Sequence, residues 1–267
     1  MPKWEHPVPL ALVPLWLQIL EWSKSYEGVV RDLASVELFA GQMEITRFML
    51  STGRSSVAFD KSYYKDSTED INTEQGFQRA LSLVMRIQAG GSLWTAPVCS
   101  SWGFIGRSTT QRSSLNPGGN VFNNKVSYAN RMVVLVSMLI MLAHSRHVWC
   151  WLEQPLSTVM QHFTPMKETI QYIMPYSQQV WLVAFGAEST KPLCIWCSSP
   201  LVHGLKRAKP STSTKSLCTK TKTGVTGNKD DLVASAAYPP GFGKAVGTIM
   251  VMLQGEQCRP TKKRKCA

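Results

Sequence analysis

The stretch SVELFAGQMEITRFMLSTGRSSVAFD, residues 35–60, decides the fold. Its opening, SVELFAG (35–41), is a short apolar run closing on small residues, which predicts a buried strand ending in a tight turn. MEITRFMLSTG (43–53) then carries apolar residues at three- and four-residue spacing and stops at Gly53, as a helix does. SSVAFD (55–60) reads as a second short strand closed by an acid, Asp60. Strand, turn, helix and strand ending in Asp open a doubly wound sheet, where ligands sit beyond the carboxyl ends of parallel strands.

Outward from this unit the alternation continues. GFQRALSLVMRIQAGG (76–91) predicts a helix, SLWTAPVC (92–99) a strand, residues 128–144 a helix, and HVWCWLEQP (147–155) and QQVWLVAFGA (178–187) two more strands. The expected class is α/β: a Rossmann-like, mostly parallel sheet with helices on both faces. Residues 31–197 form this core. Residues 1–30 precede it as a helical extension, with Leu17, Ile19, Leu20 and Trp22 at helical spacing after Pro14. Residues 198–229 read as a basic Ser/Thr/Lys-rich loop or linker, too poor in apolar residues to pack. Residues 230–254 regain apolar periodicity and are expected to dock a last helix on the sheet, and 255–267 form a basic tail.

A chain of 267 residues with 44% apolar content can fill a core, which excludes a wholly disordered protein. The longest apolar run, MVVLVSMLIMLA (132–143), falls short of the roughly 20 residues that cross a bilayer, so a buried helix and no membrane are expected. The net charge of +12 is unevenly placed: residues 1–190 hold 15 Lys+Arg against 14 Asp+Glu, and residues 191–267 hold 14 against 3. A basic end on a balanced body suits a polyanion, nucleic acid above all. Seven scattered cysteines without a secretory leader suit a reducing compartment. The cluster Lys262, Lys263, Arg264 and Lys265 suits nuclear import.

Several positions carry chemistry. The turn FAGQME has one glycine, not the three of a dinucleotide fingerprint, so a cofactor without phosphates fits it better. Asp60, at a strand end, is placed for ribose hydroxyls, and Asp70, ten residues on, for a nucleobase. Cys99 follows a strand and Pro97, where a nucleophile can stand, and Glu153 is a carboxylate in an aromatic-rich strand. Arg107 and Arg112, beside the Cys99 loop, are candidate phosphate contacts. Cys194 and Cys197 lie three apart on a strand and so face opposite ways, and no second pair follows at finger spacing; no metal is expected.

Read together, VELFAGQMEITRFM, VAFD, EDI, APVCSSWGFIGRS and WLEQP resemble, in that order, the cytosine-5 DNA methyltransferases. The resemblance implies an S-adenosylmethionine (SAM) pocket lined by Phe39, Ala40, Gly41, Asp60, Asp70 and Pro97. It further implies Cys99 as the nucleophile that adds to carbon 6 of cytosine and Glu153 as the acid beside the base. Lys191 stands near where the family has paired arginines and is carried as a nucleic-acid contact with Arg107 and Arg112. The partner is then nucleic acid, DNA by the resemblance. Val98, Ser100 and Gln154 depart from the family's neighbours of Cys99 and Glu153. The alternative they open is a methyltransferase-like protein without catalysis, serving as a nucleic-acid-binding or interaction module.

Overall fold

The computed structural model describes residues 14, 17, 18, 21, 28–66, 68–208, 218–221, 224–227 and 237–257. β1 (Leu33–Leu38) leads through α1 (Glu44–Ser51) to β2 (Ser56–Phe59), and α2 (Glu74–Arg86) runs straight into β3 (Ile87–Thr95). Then come α3 (Asn124–Ser145), β4 (Trp149–Pro155), α4 (Thr164–Ile173), β5 (Tyr176–Trp181) and β6 (Pro192–Cys197). A ribbon of β7 (Cys218–Thr221) and β8 (Gly224–Gly227) precedes the closing helix α5 (Pro240–Gln257). Local chemistry sets the helix starts: the Thr73 hydroxyl accepts the Gly76 amide ahead of α2, and the Asn123 side chain accepts the Lys125 amide ahead of α3.

The main sheet has the order β2-β1-β3-β4-β6-β5. β1 to β4 are parallel, and β6 is antiparallel to both its neighbours, so the fold is the Rossmann-like, mostly parallel α/β sheet that the alternation predicts. Side chains alternate across it. Val36, Leu38, Leu93, Cys150 and Leu152 enter one core with α2, α3 and α4. Trp94, Trp151, Val180 and Ile195 enter the other with α1 and α5. Cys194 and Cys197 fall in opposite cores, and among the described residues no group of three or more His, Cys, Asp or Glu is placed to hold a metal. By length and composition α3 is apolar enough to span a bilayer; here 67% of that apolar window is buried inside the fold.

The chain passes from β2 across β1 to reach β3, so the sheet reverses direction between β1 and β3. That is the switch point, and the crevice beyond its carboxyl ends is where an open α/β sheet binds ligands.

Three expectations are corrected. The helix expected over 76–91 ends at Arg86, and Ile87 begins the strand. Gly90, at φ +78°, donates its amide to His147 O, and a Cβ on Gly91 would come within 2.8 Å of Ala34 O, so the glycine pair forms an irregularity in β3 against β1. The strand expected over 178–187 stops at Trp181 and passes into a 3₁₀ turn, Leu182–Phe185. The loop expected from 198 starts later, because the 3₁₀ segment Pro200–Leu205 buries Val202 and Leu205 in the second core. Part of it also pairs as β7 and β8. In the expected N-terminal extension, Pro14, Leu17, Gln18 and Glu21 are helical and exposed. The tail cluster Lys262 to Lys265 lies outside the described residues.

Helix α5 lies close on α1. A Cβ on Gly243 would stand 2.6 Å from Glu44 O, and one on Gly247 2.2 Å from the Phe48 ring. Gln254 ties the same helix to the sheet, donating to Ala34 O and accepting from Arg54 Nε, each bond about 2.9 Å long or less.

Candidate functional site

The two segments at the switch point are those singled out by sequence. β1 ends in Phe39, Ala40 and Gly41, and β3 runs on through Ala96 and Pro97 to Cys99, with the Ala96 amide bonded to Leu38 O at 3.3 Å. Phe39 holds a left-handed backbone at φ +62°, which costs an aromatic residue about 1–2 kcal/mol and marks a constrained turn. Its amide and that of Ala40 bond to Phe59 O, at the end of β2. Gly41 is exposed and a Cβ there would meet nothing within 4 Å, while its carbonyl accepts the Tyr63 hydroxyl at 3.0 Å.

Asp60 closes this turn. Its Oδ2 accepts the Gly41 amide at 3.0 Å, and its Oδ1 accepts the Ser62 amide and hydroxyl at 2.8 and 2.7 Å. Oδ1 is thereby filled and Oδ2 keeps one lone pair, so Asp60 accepts one further donor without releasing a partner. Asp70 accepts the Tyr128 hydroxyl at 2.6 Å on either oxygen and the Asn72 amide at 2.9 Å. It braces the loop after β2 against α3. Glu69, paired with Arg79 at 2.8 Å, accepts the Asp60 amide and fixes that strand end from behind.

The Cys99 loop is anchored at both sides of the thiol. Pro97 is buried, and its carbonyl accepts Gln154 Nε2 from β4 at 2.6 Å. After the cysteine, Cys99 O accepts the amides of Trp102 and Gly103. Trp102 is fully buried against Phe163. The Arg112 guanidinium lies 3.5 Å over the Trp102 ring and donates to Ser101 Oγ, Pro117 O, Asn130 Oδ1 and Val126 O. Burial lowers the Arg112 pKa to about 10. This arginine, 2% exposed, is the interior peg of the loop, and the expectation that it meets phosphate is corrected: its donors are spent on the chain itself. Arg107 is half-buried and stacks over the Phe104 ring at 5.3 Å.

Glu153 lies within β4, paired with Ile195, on the sheet face covered by α1 and α5. It is buried, and the Tyr238 hydroxyl donates to its Oε2 at 2.9 Å. Cys99, Glu153 and Lys191 form one electrostatic group. Burial and the nearby Glu153 carboxylate push the Cys99 thiol up, and Lys191 pulls it back. Burial likewise raises Glu153, against Lys191 and Tyr238. The Glu153 carboxylate thus opposes a thiolate at Cys99, and a proton taken up by Glu153 removes that opposition.

A cleft of about 580 Å³ opens beside this loop, between Val98, Ser100 and Ser101 on one side and Lys125 and Tyr128 at the start of α3 on the other, with Lys61 at its rim. Phe39, Ala40, Gly41 and Asp60 thus meet at the ends of β1 and β2, Asp70 stands apart against Tyr128, Pro97 is buried on Gln154, and Cys99 is coupled to Glu153 and Lys191 through their charges; none of these residues lines the 580 Å³ cleft. Arg107 lies farther along the loop and Arg112 inside it.

Sequence reading gave no role in the site to three residues here. Glu37, mid-strand in β1, is 1% exposed, accepts the Thr46 amide and hydroxyl, and is raised to about 7 by burial. Its signal was an acid flanked by apolar residues in SVELF. Gln154 had none, and Tyr238 only its place before Pro239 and Pro240 at a helix start. The chain matches no model of a known protein family, and no curated protein matches it.

Proposed function

We propose that the chain is a SAM-dependent methyltransferase of the cytosine-5 type, acting on nucleic acid. The observation that carries this reading is the meeting, at one switch point, of the Phe39–Gly41 turn, the Cys99 loop and a buried Glu153 electrostatically coupled to the thiol.

The residues present fit SAM in the open space beside the Gly41 Cα and the spare lone pair of Asp60 Oδ2, which accepts one ribose hydroxyl; a second takes the place of the Ser62 hydroxyl on Oδ1. When bound, SAM supplies an electrophilic methyl group. The chain does the rest. Glu153, whose hold on a proton burial strengthens, donates in its protonated form to the ring nitrogen of an unstacked cytosine and draws electrons from carbon 6. With that proton in place Cys99 loses the carboxylate opposing it, gives its thiol proton to solvent water, and adds at carbon 6 as a thiolate steadied by Lys191. Carbon 5 then becomes the nucleophile. Extruding the base costs a few kcal/mol, offset by phosphate contacts from the basic residues of 191–267.

The test is a trapping assay on oligonucleotides carrying 5-fluorocytosine, whose fluorine blocks release of the enzyme. With SAM present, a denaturation-resistant adduct forms with the native chain and not with Cys99→Ala. No adduct on DNA or RNA overturns the reading. A second reading, a binding module of the same fold without catalysis, is favoured by the raised Cys99 thiol, and it predicts nucleic-acid binding without an adduct.

A further inference from the structure

The catalytic carboxyl of the proposed site receives a hydrogen bond from a segment 85 residues away in the chain. Glu153 has one oxygen engaged, Oε2, by the Tyr238 hydroxyl; its Oε1 is buried and has no hydrogen-bond partner among the described residues. The Tyr238 ring stands edge-on to Trp94, with centroids 6.0 Å apart, and against Phe242 at 4.9 Å. Neither neighbour carries a hydrogen-bond acceptor, so the phenol donates to Glu153. Burial, then the Glu153 carboxylate, holds the Tyr238 pKa well above its ordinary value, so the phenol keeps its proton through the working pH range. Tyr238 stands just ahead of α5, which is seated on α1 at the closest approach that Gly243 and Gly247 allow, and a Cβ on Gly241 would stand 2.4 Å from Phe185 O.

We propose that Tyr238 is a positioning residue for Glu153: by donating to Oε2 it confines the acid proton to Oε1, the oxygen left free to meet a base. A carboxylic acid carries one O–H, and the oxygen already accepting a fixed donor is the carbonyl one. The charged and titratable groups around the pair are Lys191, Cys99 and Cys194 beside Glu153 and Glu37 beside Tyr238. Only the statement of what Oε1 meets rests on the methyltransferase reading; the proton's location does not.

Infrared difference spectroscopy of the full chain across a pH titration tests it, with the Glu153 carboxyl band assigned by its loss in Glu153→Gln. In Tyr238→Phe the carbonyl loses its donor. Its band moves to higher frequency, and the pH at which it disappears rises by about one unit, the size of one hydrogen bond to a charged group. Should Tyr238→Phe fail to fold, fluorotyrosine labelling makes the phenol a stronger donor and moves the same band to lower frequency. A Glu153 band and titration unmoved by either change overturn the proposal. A moved band in a chain that traps no fluorocytosine leaves the assignment standing and removes the methyltransferase reading; trapping with an unmoved band does the reverse.

Discussion

At the scale of single residues, the same fact recurs: a charge inside this fold is defined by what surrounds it, and the sequence shows only its type. Glu37 in SVELF was legible as an acid out of place, yet only the structure shows Thr46 receiving it from α1. Its pKa of about 7, against 4.5 unfolded, means the folded chain keeps a proton between those values that the unfolded chain releases. Stability should therefore fall as pH rises from about 4.5 to 7 and level off above, by up to about 3 kcal/mol. Urea denaturation at pH 5 and pH 8 measures this fall, and Glu37→Gln should flatten it. Lys191 was named from its place in the chain, and the structure puts it against Cys99 and Glu153. Lys191→Met should move the pH profile of Cys99 alkylation upward, and an unchanged profile would take Lys191 out of the site. Arg112 shows the opposite outcome: in sequence it cannot be told from Arg107, because nothing local says that Trp102, Asn130 and two backbone carbonyls will converge on one of them.

At the scale of elements, hydrophobic periodicity placed β1, α1, β2, α3 and β4 and failed where two states share one pattern. The run into IQAGG satisfies a helix and a strand equally, and the outcome follows from Gly90 and Gly91 meeting His147 O and Ala34 O, contacts made across the sheet. The antiparallel course of β6 is likewise set by its pairing between β4 and β5 rather than by its residues. Glycines in α5 divide the same way. Gly243 faces the Glu44 backbone at a distance no Cβ tolerates, so Gly243→Ala should destabilise by about 1–3 kcal/mol through overpacking. Gly255, in the same helix, has nothing within 4 Å, and Gly255→Ala should stabilise by about 1 kcal/mol. Thermal or urea unfolding of the two variants gives opposite signs; equal signs would mean that α5 does not seat on α1 as described.

At the scale of the whole molecule, the neutral body and basic end were legible from composition, and the sheet that carries the proposed site from the alternation of strand and helix patterns. What composition withheld is that the closing segment is part of that site, since the Tyr238 contact joins residues far apart in the chain. If the basic end grips phosphates, binding to duplex DNA should weaken with salt at a log–log slope of about −0.9 per phosphate met. Replacing Arg259, Lys262, Lys263, Arg264 and Lys265 by Gln should then reduce that slope by up to about 4.5, and an unchanged slope would assign the grip to other residues. The seating of α5 also orders the birth of the protein. Trp94 and Trp151 are covered on one face by Phe242, Val246 and their neighbours, which leave the ribosome long after the strands they shield. A nascent chain that has made β1 to β4 thus carries a wide apolar surface and no finished acid site. The Gln254 hydrogen bonds that tie α5 to the sheet span 200 and 220 residues, so this surface is covered only by contacts of the longest range in the chain, the kind that form slowly and leave apolar surface exposed to association meanwhile.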